Sequence, residues 1–314
     1  MRPARRSGDP RRRRCSPQPR GRLARRWRRT ATAYLFLAPA LALLGLFTFY
    51  PVAVGTLLAL FDYDAISPPR FVGLAHFRAL AADRFFWIAL GNSLKYLLVV
   101  PVLQALSIGL AVAVNVPLRG IVWLRAAYYL PVVTSMVVAG LLWRWLYEQD
   151  GLVNFVLVRL GVLERPVAWL GHPDLALFAV MFVTLWKGLG YYMVIYLAGL
   201  QAIPPEYEEA AAVDGATRWQ VFRGVTLPLL RPSILLASTI SAIAALKVFE
   251  EIYVMTGGGP MFRTYTMFYY MFDKGFQQLD LGYAAALGVV LAAVVLVFSA
   301  VNFRLFRHGG WTYY

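Results

Sequence analysis

The feature that most restricts this chain is a succession of six apolar runs, roughly Tyr34 to Leu60, Trp87 to Val116, Val122 to Tyr147, Leu175 to Ala202, Ser233 to Val254 and Leu281 to Phe306. Each is long enough to cross a hydrocarbon core, which takes about 20 mostly apolar residues in helical form. No water is present there to satisfy a free amide or carbonyl, so runs of this length must be helical, and the alternating ten-residue pattern of a barrel strand does not occur. Composition agrees: 60% of the 314 residues are hydrophobic and the mean hydropathy is +0.58. The sequence therefore reads as an all-α membrane protein with six transmembrane helices over residues 34–306, a basic tail over 1–33 and a short C-terminal segment over 307–314.

The net charge of +15 suggests a nucleic-acid binder until its distribution is read. Residues 1–33 hold thirteen arginines and one aspartate, so the rest of the chain carries only +3. The tail has proline and glycine breaks, no apolar face and no interleaved aromatics beyond Trp27, which predicts disorder and no specific nucleic acid partner. Directly before a membrane span, it is expected to act as a cytoplasmic orientation signal that also touches anionic membrane lipid. The following apolar run is longer than the apolar core of a signal peptide, so the first span is expected to stay attached. An even number of spans puts both termini on one side, and the tail makes that side the cytoplasm. Outside the tail, and leaving aside Lys95, Arg144, Lys187 and Lys247 within the spans, the cationic residues divide seven against seven between the two sides.

Chemistry of its own is hard to find in the chain. Cys15 is the single cysteine, and His76, His172 and His308 are scattered, so no disulfide or clustered metal site is expected. A phosphate-cradling loop needs glycines followed by Lys and Ser or Thr, and none of Lys95, Lys187, Lys247 and Lys274 stands in that pattern. The chain is therefore not expected to be an enzyme or to bind a nucleotide or metal cofactor.

A polar insert, PPEYEEAAAVDGATRWQVFRGVTLPLLRP from Pro204 to Pro232, separates the fourth and fifth runs. Pro205 suits the first turn of a helix, where its missing N–H leaves nothing unpaired. Glu206, Glu208 and Glu209 then stand at the positive end of that helix. Gly215 provides a left-handed stop. Thr217 and Gln220 have the spacing of a capping box, which predicts a second short helix from Arg218 toward Thr226. Leu227-Pro228 and Arg231-Pro232 are expected to break it before the next span. Two short helices with a hinge result, and the small residues Ala210, Ala211 and Ala212 let another backbone come close.

Glu209, Ala210, Ala211, Gly215, Val225, Leu227 and Pro228 follow the order E-A-A, three residues, G, nine residues, I, any residue, L-P, with Val225 in place of isoleucine. The insert thus resembles the EAA loop of ATP-binding-cassette importer permeases. Further segments agree in order: FTFYP at Phe47 to Pro51, Asn92-Ser93, YYLP at Tyr128 to Pro131, Leu141 to Leu157, FEEIYVMTGGGP at Phe249 to Pro260 and GYAAALGVVL at Gly282 to Leu291. Similarity covers about Tyr34 to Phe306 and is to the carbohydrate-uptake branch. The TGGGP segment, Thr256 to Pro260, and the DGA-x-x-WQ form, Asp214 to Gln220, are similar to the first of two dissimilar permeases.

The resemblance implies a type I importer fold in a bacterial cytoplasmic (inner) membrane, with Glu209, Ala210, Ala211, Asp214, Gly215, Val225, Leu227 and Pro228 forming a cytoplasmic coupling loop. It implies a second permease subunit, two ATPase subunits holding ATP and Mg, and an extracytoplasmic solute-binding protein. Two alternatives stay open at this point: a permease of the same mechanism for a polyamine, phosphate or glycerol-phosphate, and an ion-driven secondary transporter.

Charges inside spans are costly and mark function. Lys247, Glu250 and Glu251 stand at i, i+3 and i+4 of the expected fifth helix, where one lysine reaches both carboxylates. Lys187, in LWKGLGYY with Gly188, Gly190 and Tyr191, is expected at a kinked, pathway-lining position. These residues are the substrate-pathway candidates. Arg144 and Lys95 are expected to snorkel, and Gly188, Gly190 and Gly199 to permit close helix packing.

Overall fold

The structure, a computed structural model, describes residues 34–307, with side chains to Arg304. The expected disordered tail over 1–33 and the segment after 307 lie outside the described residues. Two compact units divide between Val54 and Gly55. In the first, the chain is helical from Tyr34 and widens into a π turn over Gly45–Phe49. That helix, Tyr34–Leu58, is the first span.

In the second unit the strands among the described residues are a two-residue antiparallel pair, Phe61–Asp62 with Arg70–Phe71, in the connection after the first span. Arg84–Val114 forms the second span, Ala176–Gln201 the fourth and Leu281–Arg304 the sixth. Four helices are individually long and apolar enough to cross a membrane, and two bent pairs bring the number to six.

The first pair interrupts the helix expected over the third span. Ile121–Val133 and Met136–Leu146 meet at 96°. Thr134 and Ser135 between them are extended. Pro131 withholds an amide from the helix, and the β-branched run Val132, Val133 and Thr134 is a weak helix former, so the last turn has little intrinsic reason to continue. The second pair is Arg218–Leu229 and Arg231–Leu246, at 67°, which places the fifth span directly at a corner with the polar insert. Pro232 sits in the first turn of that span, where proline is tolerated.

A further correction concerns the outer part of the fifth span. The helix stops at Leu246, with Lys247 as its cap, and resumes as Glu250–Met255. The carbonyl of Val248 in the gap accepts the Thr266 hydroxyl at 3.0 Å, so tertiary packing supplies the bond that the helix gives up.

The core is built where the second, fourth and fifth spans meet. Ser107 Oγ donates to the Leu189 carbonyl at 3.3 Å. Gln104 Nε2 donates to Ser241 Oγ at 2.7 Å, while Tyr196 donates to Gln104 Oε1. Each group is buried, and pairing removes the penalty of an unsatisfied polar atom there. Glycines set the closest approaches: a Cβ at Gly190 would stand 2.1 Å from the Tyr128 carbonyl oxygen, and one at Gly199 would stand 2.4 Å from Ser233 Oγ. Asn92 Nδ2 donates to the carbonyls of Arg263 and Tyr265, both at 2.9 Å, and Ser93 Oγ accepts from the Met267 amide at 2.9 Å. These bonds clamp the second span to the connection before the sixth.

Candidate functional site

Two regions carry the sequence-predicted residues. The first is the insert after the fourth span. Pro204 caps a helix over Pro205–Val213, with Pro205 at its start and Glu206 and Glu208 in its first turn. Gly215 has φ +82°, its amide donates to the Ala212 carbonyl, and the Ala216 amide donates to the Ala211 carbonyl. Those two bonds make a Schellman stop, which requires a residue at ease in the left-handed region. The capping box is formed: the Thr217 amide donates to Gln220 Oε1 at 2.7 Å and the Gln220 amide to Thr217 Oγ1 at 3.4 Å.

The expected break at Leu227-Pro228 is replaced by continuous helical winding to Leu229. Arg218–Val221 leads into a π turn over Phe222–Thr226 and then Leu227–Leu229. A π turn places the proline where no i−4 bond is needed, so Pro228 is accommodated rather than terminating. The chain turns instead at Leu230, before Arg231.

The motif residues separate by exposure. Glu209, Ala210, Asp214 and Gly215 are exposed, whereas Ala211, Val225, Leu227 and Pro228 are half-buried. Thr226, buried between the two helices, donates its hydroxyl to Glu208 Oε1 at 2.8 Å and ties the first helix to the second. Sequence reasoning missed this bond, since Glu208 and Thr226 lie outside the motif. Val213 is 88% exposed and Trp219 is 66% exposed, with Trp219 stacked on Phe222 at 5.6 Å.

The second region is a cavity of about 770 Å³ among the second to fifth spans, and Lys187, Tyr191, Lys247, Glu250 and Glu251 all line it. The expected ladder of Lys247 with both carboxylates is not formed as drawn, because the helix breaks between them. Lys247 and Glu250 are exposed; Glu251 is half-buried and accepts the Thr184 hydroxyl at 3.3 Å. Thr184 in turn meets the Tyr96 hydroxyl at 2.6 Å, giving a polar chain from the second span through the fourth to the 250–255 helix. Lys187 stands within the continuous helix Ala176–Gln201, and its ammonium donates to the Val132 carbonyl at 3.1 Å, beside the break in the third span. Arg144 donates to the Val254 carbonyl at 3.2 Å. Tyr96, Thr184 and Gln104 were missed by sequence reasoning. The signal available was polarity inside an otherwise apolar run, strongest at Gln104.

A cluster at one end of the bundle was also missed. Asp83 caps the second span through the Phe85 amide and accepts from the hydroxyls of Tyr270 and of Tyr283, the latter at 2.6 Å. Lys274 lies over the Tyr283 ring at 5.1 Å. Burial pushes the Asp83 carboxyl up, but the hydrogen bonds and the nearby Lys274 charge outweigh it and hold the group below the ordinary carboxylate range.

Residues 105–308 match the family described as the binding-protein-dependent transport system inner membrane component. Among its relatives, the sulfoquinovosyl glycerol transport system permease protein SmoG of Agrobacterium fabrum is 38% identical over 279 residues, covering 88% of this chain and 90% of that protein. The lactose transport system permease LacF of Rhizobium radiobacter is 34% identical, covering 87% of this chain and 93% of its own. A chain of a bacterial ABC transporter that imports the acidic polysaccharide alginate superposes with a TM-score of 0.79 at 27% identity, over 91% of this chain and 99% of that one.

Proposed function

Because the chain belongs to the family of binding-protein-dependent transport system inner membrane components, a permease family whose ATPase is a separate subunit, we propose that it is the first of two dissimilar permeases in a bacterial carbohydrate importer. An extracytoplasmic binding protein delivers the solute, two ATPase subunits hold ATP and Mg, and this chain binds neither. The tail and both termini face the cytoplasm, so the insert over 204–230 faces it too. Permeases named for lactose and for sulfoquinovosyl glycerol support a sugar or glycoside as the solute.

The observation that carries this reading is the construction of the insert. Its two short helices are fixed to each other by the Schellman stop, the capping box and the Glu208–Thr226 bond, while Val213 and Trp219 project outward. A unit fixed internally and apolar at its tip can seat in a cleft of a partner and pass on its movement. It joins the fifth span at a corner, so a push on the insert is delivered to the helix that leads to Lys247 and Glu251. Such a push changes the equilibrium only through contacts that differ between the two permease states.

The cavity suits a hydroxyl-rich solute. Its lining includes Tyr191 and Thr184, whose side chains carry hydroxyls, together with two lysines and two glutamates, so its formal charges balance. Purification of the tagged chain from its own membranes tests the assignment. Co-isolation of a second permease and an ATPase, with hydrolysis stimulated by sugar-loaded binding protein, is expected. Isolation of the chain alone, with uptake driven by an ion gradient, would contradict it.

A further inference from the structure

We propose that Lys187 is the positioning residue of a two-state break in the third span. In this conformation its ammonium holds the Val132 carbonyl that the bend lays bare; when the span straightens it passes to the Glu251 carboxylate. The inference rests on the permease reading above, in which the spans alternate between two arrangements.

The argument is one of hydrogen-bond supply. In a continuous helix the Val132 carbonyl would accept from the amide of Met136, four residues on. The extended pair Thr134 and Ser135 carries that amide away, and Lys187 Nζ takes its place at 3.1 Å. Rewinding Thr134 and Ser135 returns the carbonyl to Met136 and leaves the ammonium without this acceptor. A cation within a span is held by paired groups, so it must find another. Glu251 is placed for this: it is held by Thr184, three residues before Lys187 and on the same helix face, and both charged groups line the one cavity.

The two halves of the break differ in what they pack against. The first half of the third span is pressed onto the fourth at Gly190, where a Cβ would meet the Tyr128 carbonyl oxygen at 2.1 Å. The second half belongs to the helix that carries Glu251: a Cβ at Gly140 would stand 3.0 Å from Val254 Cγ1, and Arg144 donates to the Val254 carbonyl at 3.2 Å. The first half of the break is therefore fixed against the helix of Lys187, while the second half touches both that helix, where Tyr147 donates to the Ala179 carbonyl at 3.2 Å, and the helix of Glu251. Val132, Val133, Thr134 and Ser135 favour helix weakly, which lets the same residues serve both arrangements.

The test uses the full chain with its partner subunits in lipid nanodiscs, with Cys15→Ser and spin labels at Leu124 and Leu142, both exposed. A straight span separates these positions by about 27 Å along its axis, and the bend brings them closer. Wild type should give both distances, in proportions that change between the nucleotide-free complex and one trapped with ATP, Mg and vanadate. Lys187→Met should deplete the short distance about tenfold or more in both conditions, the scale of one charge-assisted hydrogen bond, and Lys187→Arg should restore it. Should Lys187→Met fail to assemble, Glu251→Gln decides alone: it must hold the short distance in both conditions. Wild-type behaviour of either Lys187→Met or Glu251→Gln, or a wild-type distribution indifferent to nucleotide, overturns the proposal. ATPase subunits that never co-purify with any variant would instead count against the permease reading.

Discussion

The insert and the cavity are held together in opposite ways. In the insert the bonds are local: Thr217 with Gln220 spans three residues, and Glu208 with Thr226 spans eighteen. Around the cavity they are remote: Lys187 with Val132 spans 55 residues, Tyr96 with Thr184 spans 88, and Gln104 with Ser241 spans 137. The insert is thus fixed by bonds within itself. The cavity is an agreement among helices, two of them broken at its wall, and it changes shape when they shift. On the proposed function the insert is the lever and the cavity the chamber, and the corner at Leu230 joins them.

The sharpest way to break this contrast is to destroy the lever while sparing the chamber. Gly215→Pro cannot adopt φ +82° and removes the amide that donates to Ala212. We expect transport and stimulated ATP hydrolysis to fall to background in reconstituted complexes, with membrane insertion intact. Glu209→Lys, on the exposed face, should do the same through docking alone. Full coupling in both variants would show that the insert is no lever.

Gly190→Val attacks the chamber instead. The new side chain meets the Tyr128 carbonyl, and overpacking of this kind costs about 1–3 kcal/mol. A lowered melting temperature of the purified chain checks it, and an unchanged one would mean that the third and fourth spans do not rely on this contact. Thr226→Val sharpens the description of the lever: loss of one hydrogen bond, about 1 kcal/mol, should loosen the two short helices. Stimulated hydrolysis should fall about fivefold while stability changes little.

The smallest expected effect concerns Asp83. Its carboxyl is held below the ordinary range, so its contribution is complete above the unfolded value near pH 4 and disappears as pH falls through the lower folded value. Melting temperatures measured from about pH 6 to about pH 3 should fall more steeply in wild type than in Asp83→Asn. Parallel curves would show that the cluster with Tyr270 and Tyr283 does not stabilise this end.

How much could be read in advance follows the same division. The caps of the insert were legible because Pro205, Gly215, Thr217 and Gln220 act on neighbours within a turn. The six spans were legible from length and apolarity. The break at Thr134 and Ser135 was not, because its partner Lys187 lies far along the chain, and the gap at Lys247 to Phe249 was not, because its partner Thr266 stands beyond the next short helix and no residue in the gap signals it. Lys247, Glu250 and Glu251 line one cavity, but on either side of a helix break rather than along one helix face. Pro228 misled for a local reason, since a preceding π turn lets a proline pass within a helix.

The central claim is that the insert seats in a partner ATPase. A photoreactive amino acid at Val213, activated in the assembled complex in its native membrane, tests it most directly. The account predicts an adduct with the ATPase subunit whose yield changes between nucleotide-free and ATP-bound states. Adducts with lipid alone, or modification of the same position by reagents confined to the extracytoplasmic side, would contradict it.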